Sequence, residues 1–399
     1  MGVKVYKFGG TSLEGRTRIE NAIEVCASEV KKGNKIVVVV SAMGKTTDEL
    51  YTLVQEVNPK ITVEDSIEIV GMGEIISARL MSVTMRRRGI STHLVEPFCE
   101  EWPIFLKKDG SVHKSLTKKR TKELFKKVFQ EVDCVVVPGF VGLRKNGTWG
   151  TLGRGGSDTT AFILGRYIDA DEIIMVKDVD GIFSADPSVF PEANHLKFIR
   201  ADDLSALSSF GSQVIHSNAL SFKGEKQKVR IIHHSFGDLS YEGTVVDGTV
   251  ERKLYLLENR LALITIYKKD ITGERDLVED ITRRIMKKTK AFGVTLGIDY
   301  LGFYVPLENS GKVIRGLGPL SKRKLFSVVE RRNVALLVMR RESPTNLPGM
   351  INSLLTPLTK KNLNIVEVIS IGREVLVFIR WEDRERAMDA LKKQVKRKK

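Results

Sequence analysis

The stretch "VKVYKFGGTS", Val3–Ser12, is an apolar, β-branched run that ends in a lysine, two glycines and two hydroxyls. Such a run, stopped by glycine, reads as a buried strand. The next segment, "RTRIENAIEVCASEVKKG", has helical apolar spacing, with Gly33 where a C-cap belongs. The alternation then repeats. "KIVVVV" (Lys35–Val40) is a strand, and "IEIVGMGEIISARLMSVTMRRRG" reads as a helix stopped by Gly89. "DCVVVPGF" is a strand, "SDTTAFILGRYI" a helix and "EIIMVKD" a strand. This order predicts an α/β domain with a mostly parallel sheet over residues 1–249. Ligands of such sheets bind beyond the carboxyl ends of the strands, so the post-strand loops are the informative ones.

Beyond the linker "DGTVERK" the pattern changes. "VALLVMRRE", "LPGMINSLLTPLTKKN", "LNIVEVIS", "EVLVFIRW" and "DRERAMDALKKQV" follow a βαββαβ order over 333–399. "LALITIYKK" and "LVEDITRRIMKKTKAFG" begin a poorer copy over 260–332. Two small α+β modules behind a large α/β domain suggest a ligand-reading appendage, or modules that only build an oligomer.

Composition narrows the classes. A chain of 399 residues has room for two or three domains. No apolar run approaches the ~18 residues of a membrane span. "MGVKVY" has no signal-peptide h-region, and Tyr6 occupies the place where a myristoylation signal wants Ser or Thr. Cys26, Cys99 and Cys134 form no metal spacing and read as free thiols in a reducing cytosol, so a cytoplasmic location is expected. The net charge of +16 admits nucleic acid or a small polyanion as partner. Its densest run, "HKSLTKKRTKELFKKVF", is broken by Leu116, Leu124, Phe125 and Val128 as in an amphipathic helix with a solvated basic face. With no nucleic-acid motif beside it, neither nucleic acid nor membrane is expected as a partner.

Four loops can carry chemistry. In "KFGGTS" the lysine precedes the glycines, so it is not a Walker A loop. Lys7 is either a solvated strand-end lysine or a phosphate ligand, and Gly9 and Gly10 let backbone N–H groups approach an anion. "SAMGKTTD" leads into a helix that Thr46 or Thr47 could simply cap, or whose N-terminus could meet an anion. In "TLGRGGSDTTA", Arg154 can hold a carboxylate in a bidentate pair, and Asp158 can either cap the helix or position a lysine. "KDVDGIFSADP" offers Asp178, Asp180 and Asp186 to a ribose or to the waters of Mg²⁺, without EF-hand spacing.

These motifs, with "GMGEIISARL" and "VVPGFVG", occur in the order seen in aspartate kinases, and the C-terminal modules resemble the paired ACT domains of that family. The resemblance implies an amino-acid-kinase three-layer sandwich, followed by two ferredoxin-like ACT modules. It implies transfer of the ATP γ-phosphoryl group, with Mg²⁺, to the β-carboxylate of L-aspartate. The product, 4-phospho-L-aspartate, opens lysine, threonine and methionine biosynthesis. A carboxylate with an ordinary pKa of about 3.9 is ionised at neutral pH and needs no general base. Catalysis is then positioning and charge neutralisation. By resemblance Lys7 meets the phosphoryl group and Asp158 orients it. Thr47, Glu74, Phe140, Arg154, Gly155 and Ser157 form the amino-acid site, with Glu74 on the ammonium. The nucleotide side comprises Gly9, Gly10, Ser12, Lys177, Asp178, Phe183 and Gln213, and no residue is assigned as a direct metal ligand.

The nucleotide side departs from the family pattern. Lys177 stands for a threonine, Phe183 for a tyrosine, Ser188 for an arginine and Gln213 for a phosphate-contacting lysine. Lys177 is expected to enter the phosphate field in compensation. The alternative is an aspartate-binding pseudokinase or sensor. "ESPTNLPGM", with Pro348 and Gly349, resembles an ACT ligand loop, whereas "DITGERDLVEDI" carries charge there. An amino-acid effector, lysine or threonine, and a homodimer or homotetramer are the expected partners at the modules.

Overall fold

The computed structural model describes residues 2–209, 214–235, 241–251, 253–341 and 350–396. It divides into two compact units, Met1–Glu251 and Arg252–Lys399.

The first unit is built on an eight-stranded sheet. From edge to edge its strands are Phe198–Arg200, Thr244–Asp247, Lys228–His233, Glu172–Lys177, Val3–Phe8, Lys35–Val40, Cys134–Pro138 and Thr92–Leu94. Neighbours run parallel except Lys228–His233 with Thr244–Asp247. The central strands are nearly continuous apolar runs because both faces are covered. Val5, Ile173 and Met175 pack against Phe162 and Ile163 of helix Gly156–Tyr167. Tyr6, Phe8 and Ile174 pack the other way, against Ile23 of helix Gly15–Lys31 and Met81 of helix Met72–Arg87. Each such fully buried side chain stabilises the sandwich by about 1.5–3 kcal/mol. The three-layer α/β sandwich expected from the alternation is therefore present.

One expected helix is two. The chain breaks at Gly71 into Val63–Val70 and Met72–Arg87. A Cβ at Gly71 would lie 2.9 Å from Val141 Cγ2, so glycine here permits close packing as well as the break. The basic run forms helix Lys114–Val128, with Leu124, Phe125 and Val128 buried.

The second unit is a sheet ordered Gly293–Leu296, Tyr300–Pro306, Leu261–Tyr267, Ser327–Arg340, Glu374–Arg380 and Ile365–Ile371. Strand Ser327–Arg340 pairs through its first half with Leu261–Tyr267 and through its second half with both Glu374–Arg380 and Lys253–Leu256. The module read over 333–399 thus takes an edge strand from upstream of both modules. Helix Leu307–Lys324 was obscured in the sequence by Gly311, Gly316, Gly318 and Pro319. Its buried Val313, Leu317 and Leu320, at helical spacing, secure it. The loop containing Pro348 and Gly349 lies outside the described residues. Among the described residues no helix is long and apolar enough to cross a membrane.

Candidate active site

Three charged side chains meet where the central strands of the first unit end. Lys7 lies opposite Met175 in the parallel register. Lys177 is two residues beyond Met175, so both lysines project from the face covered by helix Gly156–Tyr167. Asp158, in the first turn of that helix, stands between them. Its Oδ1 is 2.8 Å from Lys7 Nζ, and its Oδ2 accepts a 2.7 Å hydrogen bond from Lys177 Nζ. The helix N-cap is Gly155, without a side-chain cap, so Asp158 positions lysines rather than capping. All three side chains are at most 13% exposed. Burial alone would raise the Asp158 pKa, but the charges and hydrogen bonds of Lys177 and Lys7 outweigh it and hold the carboxyl at about 2. Burial pushes Lys7 below its ordinary value; Asp158 opposes this and Lys177 adds to it.

Glu74 lies in the first turn of helix Met72–Arg87 and is 4% exposed. Desolvation raises its pKa to about 7, while hydrogen bonds from its own amide and that of Ala42, and the charge of Lys7, pull it back. Its Oε2 has no hydrogen-bond partner. A buried carboxylate oxygen in that state is a ready acceptor for a cationic ligand group.

Ala42 explains two of the sequence glycines. A Cβ at Gly10 would lie 2.7 Å from the Ala42 carbonyl oxygen, and one at Gly73 would lie 2.8 Å from Ala42 Cβ. Glycine at both positions lets the loops close around Ala42 and brings Glu74 toward Lys7. Gly9 donates its amide to the Val176 carbonyl at 3.1 Å, so that N–H is already engaged. Ser12, also buried, donates its hydroxyl to the same carbonyl at 3.2 Å and ties the loop to the neighbouring strand.

The "TLGRGGSDTTA" loop packs against "PGF". A Cβ at Gly139 would strike Ser157 Cβ at 2.4 Å, and one at Gly156 would lie 2.9 Å from Phe140 Cδ2. Phe140 takes φ 69°, a left-handed backbone costing about 1–2 kcal/mol, and its carbonyl accepts from Leu152 N at 2.8 Å. Arg154 is exposed and makes no ion pair among the described residues, so its guanidinium can take a carboxylate. Thr47 lies half-buried in the first turn of helix Thr46–Val57; its neighbour Thr46 donates to the Met43 carbonyl rather than capping.

His216 was not anticipated. A Cβ at Gly155 would meet His216 Cβ at 2.5 Å. Burial lowers the imidazole pKa, Asp158 opposes this, and Arg154 and Lys177 add to it. His216 lies three residues beyond Gln213, and no local sequence pattern marks it.

The nucleotide-side loop is looser. Asp178 is exposed, whereas Phe183 packs edge-on against His195 across the ribbon of Ile182–Phe183 and His195–Leu196. Asp186 accepts from the amide and hydroxyl of Ser188 at 2.9 and 2.7 Å, so it shapes the turn. Asp180 keeps a buried Oδ1 without a hydrogen-bond partner. Gln213 lies outside the described residues. Among the described residues no group of three or more His, Cys, Asp or Glu side chains is placed to hold a metal ion.

Comparison with known proteins agrees with this architecture. Residues 2–233 match the model of the amino acid kinase family. The chain is 33% identical over 222 residues to an aspartokinase of Rickettsia conorii, covering 55% of this chain and 54% of that protein. It therefore spans about half the length of that relative. It is 27% identical over 405 residues to aspartokinase 2 of Bacillus subtilis, covering 98% of this chain and 97% of that one. Its fold matches the aspartate kinase structure from Synechocystis with a TM-score of 0.77 at 22% identity, over 98% of this chain and 69% of that one.

Proposed function

The chain belongs to the amino acid kinase family, and we propose that within it the protein is an aspartate kinase, moving the ATP γ-phosphoryl group to the β-carboxylate of L-aspartate. The observation that carries this reading is the buried Lys7–Asp158–Lys177 set beside Glu74 with its unpartnered Oε2. Two ammonium groups on one carboxylate leave a net positive charge in a desolvated place, which suits a transferring phosphoryl group. The open Glu74 oxygen suits the substrate ammonium, and the unpaired Arg154 its α-carboxylate. Ser157, Gly155, Phe140 and Thr47 frame that acceptor site. The acceptor β-carboxylate attacks phosphorus, and ADP leaves with the bridging oxygen. No proton moves, so no base is required, and a neutral His216 at the rim is consistent with that.

ATP would lie along Gly10 and the 178–183 loop. Mg²⁺ would come with the triphosphate, and Asp178 and Asp180 of that loop would meet its waters; when bound it neutralises β- and γ-phosphate charge. The product would feed lysine, threonine and methionine synthesis in the cytoplasm, in keeping with three free thiols. An amino-acid effector and a dimeric or tetrameric assembly at the second unit, with modules over 260–332 and 333–399, belong to the same reading. The paired lysines and the open oxygen of Glu74 support an active kinase over the pseudokinase alternative.

The test is trapping with hydroxylamine in the presence of aspartate and MgATP. Aspartyl hydroxamate formed in proportion to ADP is the expected result. ADP without hydroxamate, or no turnover from folded protein, refutes the activity.

A further inference from the structure

We infer that Lys177 is a second phosphate-binding cation of this cleft, working with Lys7 as a clamp whose spacing Asp158 sets. This rests on reading the cleft as that of a nucleotide-dependent kinase.

The argument begins with register. Strands Val3–Phe8 and Glu172–Lys177 are adjacent and parallel, and Lys7 pairs with Met175. Lys177 therefore ends its strand one step further toward the cleft, on the same face. One carboxylate receives both ammonium groups, each on a separate oxygen, at 2.8 and 2.7 Å. Each ammonium has three donors; Lys177 spends one on Asp158 Oδ2, and Lys7 faces Oδ1 as an ion pair. Among the described residues neither lysine has another hydrogen-bond or ion-pair partner. At least two donors apiece remain.

Charge points the same way. A single lysine would neutralise Asp158, so a counter-ion role for Lys177 alone leaves Lys7 without a purpose, and the converse. Burying two cations on one anion is costly unless a further anion completes the set. Glu74 is a poor completer, since burial holds its carboxyl partly protonated near neutral pH. The lysine at 177 also continues into the loop that carries Asp178 and Asp180, where a nucleotide would lie. A phosphate bridging the two ammonium groups satisfies the donors and the charge together.

The test separates phosphate contact from general support. Full-length protein is titrated calorimetrically with β,γ-imido-ATP, which keeps a γ-phosphate and is not turned over, and with adenosine, both with Mg²⁺, for the wild type, Lys177→Met and Lys177→Arg. Loss of a charge-assisted contact weakens binding of the triphosphate about 10- to 100-fold. Adenosine binding is expected to stay within about twofold, and Lys177→Arg to retain most of the triphosphate preference. Equal changes for the triphosphate and adenosine in Lys177→Met, or none for either, overturn the inference. If Lys177→Met does not fold, the arginine variant decides: a triphosphate preference kept within about fivefold of wild type supports the clamp, and one lost overturns it. Binding needs no turnover, so this result stands apart from the hydroxamate assay. Hydroxamate formation with an unmoved triphosphate preference rejects the clamp alone, and a clamp confirmed without hydroxamate rejects only the acceptor.

Discussion

Strands Val3–Phe8 and Glu172–Lys177 carry paired charge at both of their ends, and the two ends are built differently. At the amino end, Arg230 makes a bidentate pair with Glu172 at 2.6 and 3.1 Å and donates a further bond to the Tyr241 carbonyl. Nearby, Glu29 accepts from Lys4, Lys32 and Asn34. Both oxygens of each carboxylate are engaged, and the additional cations, Lys228 and Lys32, reach solvent. At the carboxyl end, two buried ammonium groups share Asp158, and Glu74 keeps an oxygen without a partner. In the first set the charged groups are matched and hold the sheet together; of these groups and the neutral Tyr6 hydroxyl beside them, that hydroxyl alone lacks a partner among the described residues. The second is open and needs a ligand to complete it. Burial alone does not mark a functional charge; incomplete pairing does.

The largest stability effect should come from the matched end. Glu172→Gln leaves Arg230 buried without its counter-charge and is expected to cost about 3–5 kcal/mol in urea unfolding, with aspartate and ATP KM values unchanged within about twofold. A large KM change would break the distinction between the ends.

Glu74→Gln should act in the opposite sense. The Glu74 carboxyl is held at about 7 in the folded, ligand-free chain, above its ordinary value. It stabilises the fold relative to an ionised carboxylate only while protonated, so the free chain loses stability as pH rises from the ordinary glutamate range to about 7. A glutamine, always neutral, should stabilise the free chain at pH 8 by about 2–3 kcal/mol. It should also weaken aspartate binding. In the wild type, aspartate binding requires ionised Glu74 and releases a proton below pH 7, so affinity at pH 6 should be about tenfold weaker than at pH 8. Calorimetry in buffers of different ionisation enthalpy checks the proton release. A variant that is less stable at pH 8, or one that keeps the pH dependence, contradicts the assignment.

Much of the first unit was legible because its strands are uniform apolar runs and its loops are dense in glycine. Lys7, Asp158 and Lys177 could be named from post-strand position and from the resemblance. What spacing could not supply was the meeting of both lysines on Asp158, because only the strand register, which sets Lys7 opposite Met175, puts Lys177 beside it on the same face. His216 escaped because its role depends on Gly155 having no side chain, a contact across about 60 positions of sequence. Gly71 reads as an interior helix glycine in the sequence, because the close approach of Val141 that requires it is a long-range contact. In the second unit the upstream strand Lys253–Leu256 was illegible, since no local pattern reveals that a strand will pair with residues 337–340.

The central claim is that the open charge set transfers phosphate and the matched one does not. Strand Val3–Phe8 allows the most direct test, because it carries Lys4 at one end and Lys7 at the other. Aspartate-dependent hydroxamate turnover is measured for Lys4→Ala and Lys7→Ala, with folding verified by circular dichroism. The account predicts that Lys4→Ala keeps kcat within about threefold. It predicts that Lys7→Ala loses about 10³-fold or more while aspartate still binds. Comparable turnover in the two variants would contradict it.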